Sequence, residues 1–402
     1  MKIIKGGVCA AKGFVAAGIN CGIRKKDKRD LALILSRTKA TCAGVYTQNL
    51  VKGAPIIVTQ KNISDGYARA IIANSGNANT CNANGMEIAE GMCNLVEHFI
   101  GVPSDDVAVA STGVIGQPMT LDPFIAGMPA LLTALGNNSA DAAEAIMTTD
   151  TVKKELAIAF EIGGKPVKIG GIAKGSGMIH PNMATMLVFV TTDAAITPAM
   201  LQKALNEVVK DTFNMISVDR DTSTNDTMLV MANGLACNTE ITAEGEDYDA
   251  FYAALNELSY QLCLAIAKDG EGATKLLECK VSGAKTAEDA RKIAKSVICS
   301  PLVKTAMFGA DANWGRVLCA IGYAEAEVDV TKVNLSFISE KGQLSVCENG
   351  MGIAFSEDIA TEVLSYDDII IDINVGNGDF SATAFGCDLS YDYVKINGSY
   401  RT

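Results

Sequence analysis

The sequence predicts an α+β fold made of mixed layers of strands and helices. Segments with strand-like and helix-like apolar spacing are interspersed along the 402 residues. They do not alternate strictly, as the elements of a doubly wound parallel sheet would. The 37 glycines are scattered among short loops, and the glycine-rich stretches match neither the dinucleotide-binding nor the P-loop spacing. A nucleotide-binding fold is therefore disfavoured.

The first half of the chain alternates apolar strand-like runs with amphipathic helical segments. Helices are predicted where apolar residues recur at three- and four-residue spacing, and strands where apolar and β-branched residues cluster. The strands predicted at 156–162 and 165–172 are expected to form a hairpin around Gly163 and Gly164. In chain order the predicted elements are a strand at 68–73, a helix at 85–100, a strand at 107–111, a helix at 122–135 and strands at 156–162 and 165–172.

The second half continues the same mixture. Pro198 stands at an early position of a predicted helix, where its missing N–H costs little. The sequence Thr-Met-Leu-Val occurs twice, at Thr185 and at Thr227, which we interpret as two similar core strands. The predicted strands are 185–191, 227–232, 333–338, 344–347 and 369–375, and the predicted helices are 198–211, 248–268 and 287–298.

Charge and hydrophobicity exclude several classes of function. The chain has 34 Lys and Arg against 46 Asp and Glu, a formal net charge of -12. Such a protein repels nucleic-acid phosphates and anionic lipid, so neither nucleic acid nor a membrane is an expected partner. No apolar run reaches the roughly 18 residues that a membrane-spanning helix needs. The first residues lack the pattern of a signal or transit peptide, so we expect a cytoplasmic location.

Cysteine and histidine usage limits the possible chemistry. The twelve cysteines include no Cys-x-x-Cys pair, so reduced and mostly buried thiols are expected instead of disulfides or a zinc site. The only histidines are His98 and His180. A histidine-rich metal site is thereby excluded. A Ser-His-Asp triad or a Cys-His dyad would have to use one of these two residues.

The segment from Lys174 to Leu187 is the most informative part of the sequence. A loop with two glycines, a proline and an asparagine delivers Thr185 to the start of a predicted strand. A threonine hydroxyl is a weak nucleophile and needs a base. Its own α-amino group, with an ordinary pKa near 8, would serve, but it exists only if the Ala184–Thr185 bond is cut. From the residues alone, a threonine that merely caps or turns the chain is the more common interpretation.

The stretch from His180 to Leu187 resembles the signature of the ornithine acetyltransferase family, the bifunctional glutamate N-acetyltransferases of arginine biosynthesis. The resemblance extends over essentially the whole chain and departs from the family pattern at no motif position. Seven further stretches match in order, namely 73–79, 111–116, 147–151, 217–226, 269–275, 308–316 and 397–402.

The resemblance implies self-cleavage followed by ping-pong acetyl transfer. An α chain of residues 1–184 and a β chain of residues 185–402 would form. Thr185 would then take the acetyl group of N2-acetylornithine and pass it to glutamate, without cofactor or metal. Acetyl-CoA as a second donor stays open, because the motifs do not decide it. The alternatives are a self-processed amidohydrolase or aminopeptidase that transfers the acyl group to water, and a binding protein that stays uncut.

The resemblance also assigns roles to individual residues. Thr185 would be both nucleophile and, through its freed amine, base, with Thr112 and Gly113 at the oxyanion-hole position. We expect Lys174 to bind the α-carboxylate that both substrates share and Glu271 to accept their amino groups. The implied substrate-binding residues are Thr148 (or its neighbour Thr149), Lys174, Thr185, Glu271, Asn397 and Thr402.

The resemblance further implies a fold related to the self-cleaving aminopeptidases of the DmpA type and distinct from the usual N-terminal-nucleophile hydrolases. The two chains would stay associated and assemble as α2β2. For Asn397 and Thr402 to reach a site, the C-terminal tail has to dock back onto the body. We expect His180 to shape its loop, and the stretches 219–226 and 311–316 to form stabilising polar networks.

Overall fold

A computed structural model of the chain describes residues 1–24, 27–180 and 186–399. The described residues form two compact units. The first unit comprises residues 1–24, 27–175, 186–210 and 222–262, and the second comprises residues 176–180, 211–221 and 263–399. Each unit contains one large β-sheet with helices packed on it.

The strands and helices are numbered here in chain order. The strands are β1 (Lys2–Ile4), β2 (Phe14–Ile19), β3 (Leu31–Tyr46), β4 (Tyr67–Asn74), β5 (Val107–Ser111), β6 (Lys154–Ile162), β7 (Lys165–Lys174), β8 (Leu187–Thr192), β9 (Ile216–Ser217), β10 (Thr227–Ala232), β11 (Leu276–Ala284), β12 (Asn334–Ser339), β13 (Gly342–Glu348), β14 (Met351–Gly352), β15 (Asp368–Asn374) and β16 (Phe380–Cys387). The helices are α1 (Ala54–Asn62), α2 (Gly85–Ile100), α3 (Asp122–Thr133), α4 (Ser139–Ala145), α5 (Pro198–Asp211), α6 (Glu246–Lys268), α7 (Ala287–Cys299), α8 (Pro301–Phe308), α9 (Trp314–Gly322), α10 (Glu357–Leu364) and α11 (Tyr391–Gly398).

The first unit is built on a mixed sheet that has nine strands within the described residues. Its order is β1-β6-β7-β8-β10-β3-β4-β5, with β2 also paired with β3. Strand β8 pairs antiparallel with β7 and parallel with β10. All six residues of β8 are buried, so this strand runs through the interior of the unit.

Helices α2 and α3 cover one face of the first sheet. The apolar stripe of α2 includes Ile88, Met92 and Val96, which belong to the same buried cluster as β3 to β5 and α3. Gly101 follows the last residue of α2, and its φ of 76° places it in the left-handed conformation that closes a helix and that glycine adopts without strain. This packing fixes the strands whose ends carry the polar loops described below.

The second unit is built on a sheet of seven described strands, in the order β14-β13-β12-β15-β11-β16-β9. Helix α7 lies against β11 and β16 and buries Ile293, Ala294 and Val297. The C-terminal helix α11 buries none of its residues. Ser390 caps its N-terminus, and the Ser390 hydroxyl oxygen accepts the Asp392 N–H at 3.2 Å.

The structure confirms the predicted α+β class, because both sheets mix parallel and antiparallel pairs. Most predicted elements are confirmed within two residues at each end. The helix predicted to reach residue 135 ends at Thr133, and the strand predicted over 185–191 is described from Leu187 to Thr192. The sequence interpretation missed β3, β11 and β16, which are central strands of the two sheets.

Other sequence predictions concern thiols and chain division. All twelve cysteines are described and are free thiols, seven of them buried, as expected. No described helix is long and apolar enough to cross a membrane. The two units are not the two predicted chains, since β7 and β8 belong to the same sheet on either side of the predicted cleavage bond. The division at residues 184 and 185 stays a prediction.

Candidate active site

The loop after β5 places Thr112 and Gly113 against the loop after β4. The Thr112 N–H donates to the Asn74 carbonyl at 3.0 Å, and the Val114 N–H donates to the Gly76 carbonyl at 3.3 Å. The Gly113 N–H between them has no acceptor among the described residues. An amide held on both sides and left with a free N–H is suited to bind a developing oxyanion.

Gly113 cannot be replaced by a larger residue without displacing this loop. Its φ is 134°, a conformation that residues with a side chain rarely adopt. A Cβ at this position would lie 2.3 Å from the Gly76 carbonyl carbon and 2.5 Å from the Asn77 nitrogen. The glycine is therefore required both by its backbone conformation and by the close approach of the two loops.

Lys174 ends β7 at the same place in the first unit. It is buried, and its Nζ donates to the Thr112 hydroxyl at 3.4 Å. It also pairs with Leu187 across β7 and β8. The loop that holds the Gly113 amide, the Lys174 side chain and the start of β8 therefore lie close together. The first residue of β8, Leu187, is two positions after Thr185 in the sequence.

Asp150 is the buried anion beside Lys174. Its Oδ1 accepts the Lys154 ammonium and the Gly175 N–H, each at 2.7 Å. Burial alone would raise the pKa of this carboxyl, but Lys174 and Lys154 outweigh burial and lower the pKa to about 2. Two ammonium groups therefore lie beside this one carboxylate and favour its ionised form.

Thr148 is held by two neighbours. Its N–H donates to Asp150 Oδ2 at 3.0 Å, and its carbonyl accepts the Arg24 guanidinium at 3.0 Å. Thr148 lines a cavity of about 360 Å³ that Lys28 and Lys153 also line. Thr148 is thus fixed at the backbone beside the Asp150–Lys174 pair. The alternative residue, Thr149, is half-buried and does not line this cavity.

A buried polar network at the start of β10 completes the first unit's part of the site. The Asn225 amide donates to the carbonyls of Ala78 at 2.6 Å and Ser111 at 3.0 Å. Its Oδ1 accepts the Thr80 hydroxyl at 2.6 Å. Asn225 therefore ties the loops after β4 and β5 to the strand beside β8, as expected for a stabilising polar network in 219–226.

Asp226 follows Asn225 and is fully buried. Burial raises the pKa of this carboxyl well above its usual range, although Lys174 and two hydroxyl groups oppose the shift. Burial therefore favours the neutral form of this carboxyl, which opposes any pairing of Asp226 with the charge of Lys174. Sequence reasoning did not identify Asp226 as a buried group, because an Asp in a polar stretch is usually exposed.

The second unit contains the other part of the predicted site. Glu271 is buried, and its backbone N–H donates to the Ser176 carbonyl at 2.9 Å. The Asn397 amide of α11 donates to Glu271 Oε2 at 2.8 Å. The structure therefore brings Glu271 and Asn397 together, and the C-terminal helix docks onto the body of this unit as expected.

His180 lies in the second unit, where its Nδ1 is 3.1 Å from the Ser217 hydroxyl and 3.5 Å from Cys299 Sγ. Burial, with the nearby charges of Lys295 and Arg220, lowers the pKa of His180 to about 4. The imidazole is therefore neutral near pH 7. These contacts agree with the expectation that His180 shapes its loop.

Three predicted site residues, Ala184, Thr185 and Thr402, lie outside the described residues. In the first unit the structure brings together Thr112, Gly113, Thr148 and Lys174, and in the second unit Glu271 and Asn397. Arg24, Asp150, Asn225 and Asp226 contact or lie beside these candidate residues, and the sequence interpretation did not name them as such. Their contacts span up to 147 residues of sequence, so no local pattern pointed to them.

A backbone N–H that can stabilise an oxyanion, together with a buried lysine beside the start of an interior strand, is typical of an acyl-transfer enzyme. Comparison with known proteins specifies the family. The ArgJ family model matches residues 15–402. The arginine biosynthesis bifunctional protein ArgJ of Caldanaerobacter subterraneus subsp. tengcongensis is 51% identical over 100% of both chains. The chain belongs to the ArgJ family.

A solved structure of the same family agrees with this assignment. The arginine biosynthesis bifunctional protein argJ of Bacillus halodurans is 46% identical, with a TM-score of 0.51, over 53% of this chain and 98% of that chain. An L-aminopeptidase D-Ala-esterase/amidase of Ochrobactrum anthropi is 13% identical, with a TM-score of 0.39, over 66% of this chain and 86% of that chain. At that level the predicted relation to self-cleaving aminopeptidases stays a prediction.

Proposed function

We propose that this chain transfers the acetyl group of N2-acetylornithine to glutamate, giving ornithine and N-acetylglutamate in arginine biosynthesis. The names of its full-length relatives support an enzyme of this pathway. The observation that carries the proposal is the cluster of Thr112, Gly113 and Lys174 beside Leu187, two residues after Thr185. The relatives support acetyl transfer within arginine biosynthesis over the alternative in which water takes the acyl group.

Self-cleavage comes first in this proposal. The Thr185 hydroxyl attacks the Ala184 carbonyl, the peptide C–N bond breaks, and water opens the resulting ester. The products are the chains 1–184 and 185–402. They stay associated because β8, from the second chain, pairs with β7 from the first along six residues. A cut beside a buried interior strand leaves this pairing in place.

Acetyl transfer follows in two half-reactions. The freed amine of Thr185 takes the hydroxyl proton while Oγ attacks the acetyl carbonyl of N2-acetylornithine. The Gly113 N–H stabilises the oxyanion, a contribution of about 3 kcal/mol for one well-placed donor. The C–N bond breaks, ornithine leaves with the proton, and an acetyl ester remains. The amine of glutamate then attacks this ester, and Thr185 recovers its proton.

Charge selects the two substrates. Lys174 binds the α-carboxylate that N2-acetylornithine and glutamate share, because Lys174 and Lys154 lie beside the single carboxylate of Asp150 and burial favours the neutral form of Asp226. Glu271, positioned by Asn397, accepts the amino groups of the substrates. Thr148 and Thr402 complete the substrate contacts, as the family pattern implies.

The proposal extends to partners and location. Acetyl-CoA is a candidate second donor, which the word bifunctional in the relatives' names supports. We expect an α2β2 assembly in the cytoplasm, with neither nucleic acid nor membrane as a partner. No resident cofactor or metal has a step in this mechanism, because the acetyl group passes from one substrate to the other through Thr185 alone.

An acetyl-transfer assay tests the proposal. The purified protein is incubated with N2-acetylornithine, with and without glutamate, and the products are separated. N-acetylglutamate should form only with glutamate and much faster than free acetate. The matched control is Thr185→Ala, which should remain a single inactive chain. Rapid acetate release that glutamate does not divert would instead establish the hydrolase alternative.

A further inference from the structure

The side chain of Arg24 holds two successive carbonyl groups of the segment that carries Thr148. Its Nη1 donates to the Met147 carbonyl at 2.9 Å, and its Nη2 donates to the Thr148 carbonyl at 3.0 Å. A planar guanidinium makes two such bonds at a fixed spacing, whereas an ammonium acts as a point charge. Because the Thr148 N–H also donates to Asp150, the backbone of Thr148 is fixed on both sides.

The backbone of Arg24 is itself fixed by a buried carboxylate. Asp30 is fully buried, and its Oδ2 accepts the Arg24 N–H at 2.9 Å while its Oδ1 accepts the Cys21 N–H at 2.7 Å. The Asp30 carbonyl accepts the Ser75 N–H at 2.9 Å. Ser75 belongs to the loop after β4, which contacts the loop of Gly113. Arg24 and the loop after β4 are therefore tied to the same residue.

The aliphatic part of the Arg24 side chain packs against that loop. A Cβ at Gly76 would lie 2.8 Å from Arg24 Cγ, and Gly76 has a φ of 98°, which favours glycine. Gly76 also borders Gly113, since a Cβ at Gly113 would lie 2.3 Å from the Gly76 carbonyl carbon. One arginine therefore contacts both the loop of the candidate oxyanion donor and the segment of Thr148.

We propose that Arg24 is a positioning residue that holds Thr148 in place for substrate binding. This inference rests on the proposed function, in which Thr148 contacts the substrate. Arg24 acts through Thr148 and not on the reacting atoms, because both of its terminal nitrogens donate to backbone carbonyls. Accurate placement of such a group matters, since a displacement of about 1 Å can cost about 100-fold in rate.

Arg24→Lys tests the inference. Lysine keeps the charge and the Cγ that packs on Gly76, but it cannot hold two carbonyls at the spacing of a guanidinium. The KM for N2-acetylornithine should rise about tenfold, the usual effect of losing one hydrogen bond to a charged group. The kcat should change less than about twofold, since the contact with the Gly113 loop is kept. Kinetics are measured on protein that denaturing mass spectrometry shows to be fully cleaved.

Arg69→Lys is the matched control. Arg69 lies on β4 of the same unit, and its guanidinium also donates to two successive backbone carbonyls, those of Ser36 at 3.4 Å and Arg37 at 3.3 Å. These carbonyls belong to β3 and not to the segment of Thr148. The KM and kcat of Arg69→Lys should therefore stay within about twofold of the wild-type values.

A double substitution shows whether Arg24 acts through Thr148. Thr148→Val removes the hydroxyl at nearly constant size and should itself raise the KM. In this background, Arg24→Lys should change the KM less than about twofold, because the group that Arg24 positions is already lost. An equal rise of the KM in both backgrounds would show that the two residues act independently.

The outcomes are distinct. The inference is supported by a raised KM with unchanged kcat in Arg24→Lys, wild-type kinetics in Arg69→Lys, and loss of the effect in the Thr148→Val background. It is overturned by a wild-type KM in folded Arg24→Lys or in Thr148→Val, by an equal rise in both backgrounds, or by the same change in Arg69→Lys.

Folding is followed by circular dichroism. If Arg24→Lys does not fold, Arg24→Gln, which also keeps Cγ but carries no charge, replaces it under the same criteria. Loss of the fold in both variants overturns the inference, because Arg24 would then be required for stability. A wild-type protein that forms no N-acetylglutamate from N2-acetylornithine and glutamate overturns the proposed function itself.

Discussion

Lys174 of the first unit ends a long strand of the large sheet, whereas the predicted site residues of the second unit lie on a loop and on a short terminal helix. Lys174 ends a ten-residue strand and is buried with Asp150. Asn397 lies on an eight-residue helix without buried residues. A residue on a sheet strand is held by many backbone pairings between neighbouring strands, whereas Asn397 is held by a few side-chain contacts.

The difference predicts different consequences for substitution. In the first unit, a change should alter the chemical step or the stability of the fold, because the site and the core share the same residues. In the second unit, a change should alter substrate binding and leave the chemical step intact. The following predictions test this contrast, from the largest expected effect to the smallest.

Gly113→Ala should have the largest effect. The added Cβ collides with the Gly76–Asn77 backbone, so the free amide moves away from the oxyanion, and kcat should fall about 100- to 1,000-fold. Steady-state kinetics of the cleaved enzyme measures this. The control is Gly116→Ala, at a φ of 74° with open space around it; a kcat as low in this variant would show that backbone strain alone is responsible.

Asp150→Asn should mainly cost stability. Removing one partner of a buried ion pair costs about 3 to 5 kcal/mol, measured as the free energy of unfolding at pH 7. The folded pKa, about 2, lies below the ordinary value, so ionisation stabilises the fold above pH 4 and this part is lost between about pH 4 and 2. The difference from wild type should therefore shrink in that window.

The matched control for this substitution is Asp65→Asn, which removes an exposed pair with Lys39. Surface pairs contribute about 0 to 1 kcal/mol, so its unfolding free energy should change little. An Asp150→Asn variant no less stable than Asp65→Asn would show that the buried charges of the first unit are not coupled to its fold.

Asn397→Ala should have the smallest effect. It removes the amide that orients Glu271, which corresponds to about 1 kcal/mol and a several-fold rise in KM at constant kcat. Val394→Ala on the same helix is the control, since Val394 is 70% exposed, and its KM should not change. A fall in kcat without a rise in KM for Asn397→Ala would contradict the contrast between the units.

The parts of the fold with a local signal were predictable from the sequence. The helix over 85–100 and the strand over 107–111 match the structure at both ends, because apolar spacing and flanking glycines report directly on such elements. The long strand β3 was missed. The middle of β3 is polar, at Ser36-Arg37-Thr38-Lys39, and its pairing with β4 is irregular there. No single pattern of apolar spacing therefore extends along the whole strand.

Candidate site residues could be named from the sequence only where motifs carry the chemistry. Thr112, Gly113 and Lys174, which the resemblance assigns to the site, lie close together in the structure, and their roles stay predictions. The partners that fix them, Asp150 and Asn225, were not identified as such, because their contacts join loops separated by 25 to 147 residues. Such contacts follow from strand order, which periodicity within one segment does not determine.

Mass spectrometry of the denatured enzyme after incubation with N2-acetylornithine tests the central claim most directly. The account predicts two fragments, 1–184 and 185–402. Without glutamate, the second fragment should carry an added mass of about 42 daltons, the exchange of one hydrogen for an acetyl group. An active enzyme that is continuous across residues 184 and 185, or an acetyl group on the first fragment, would contradict the account.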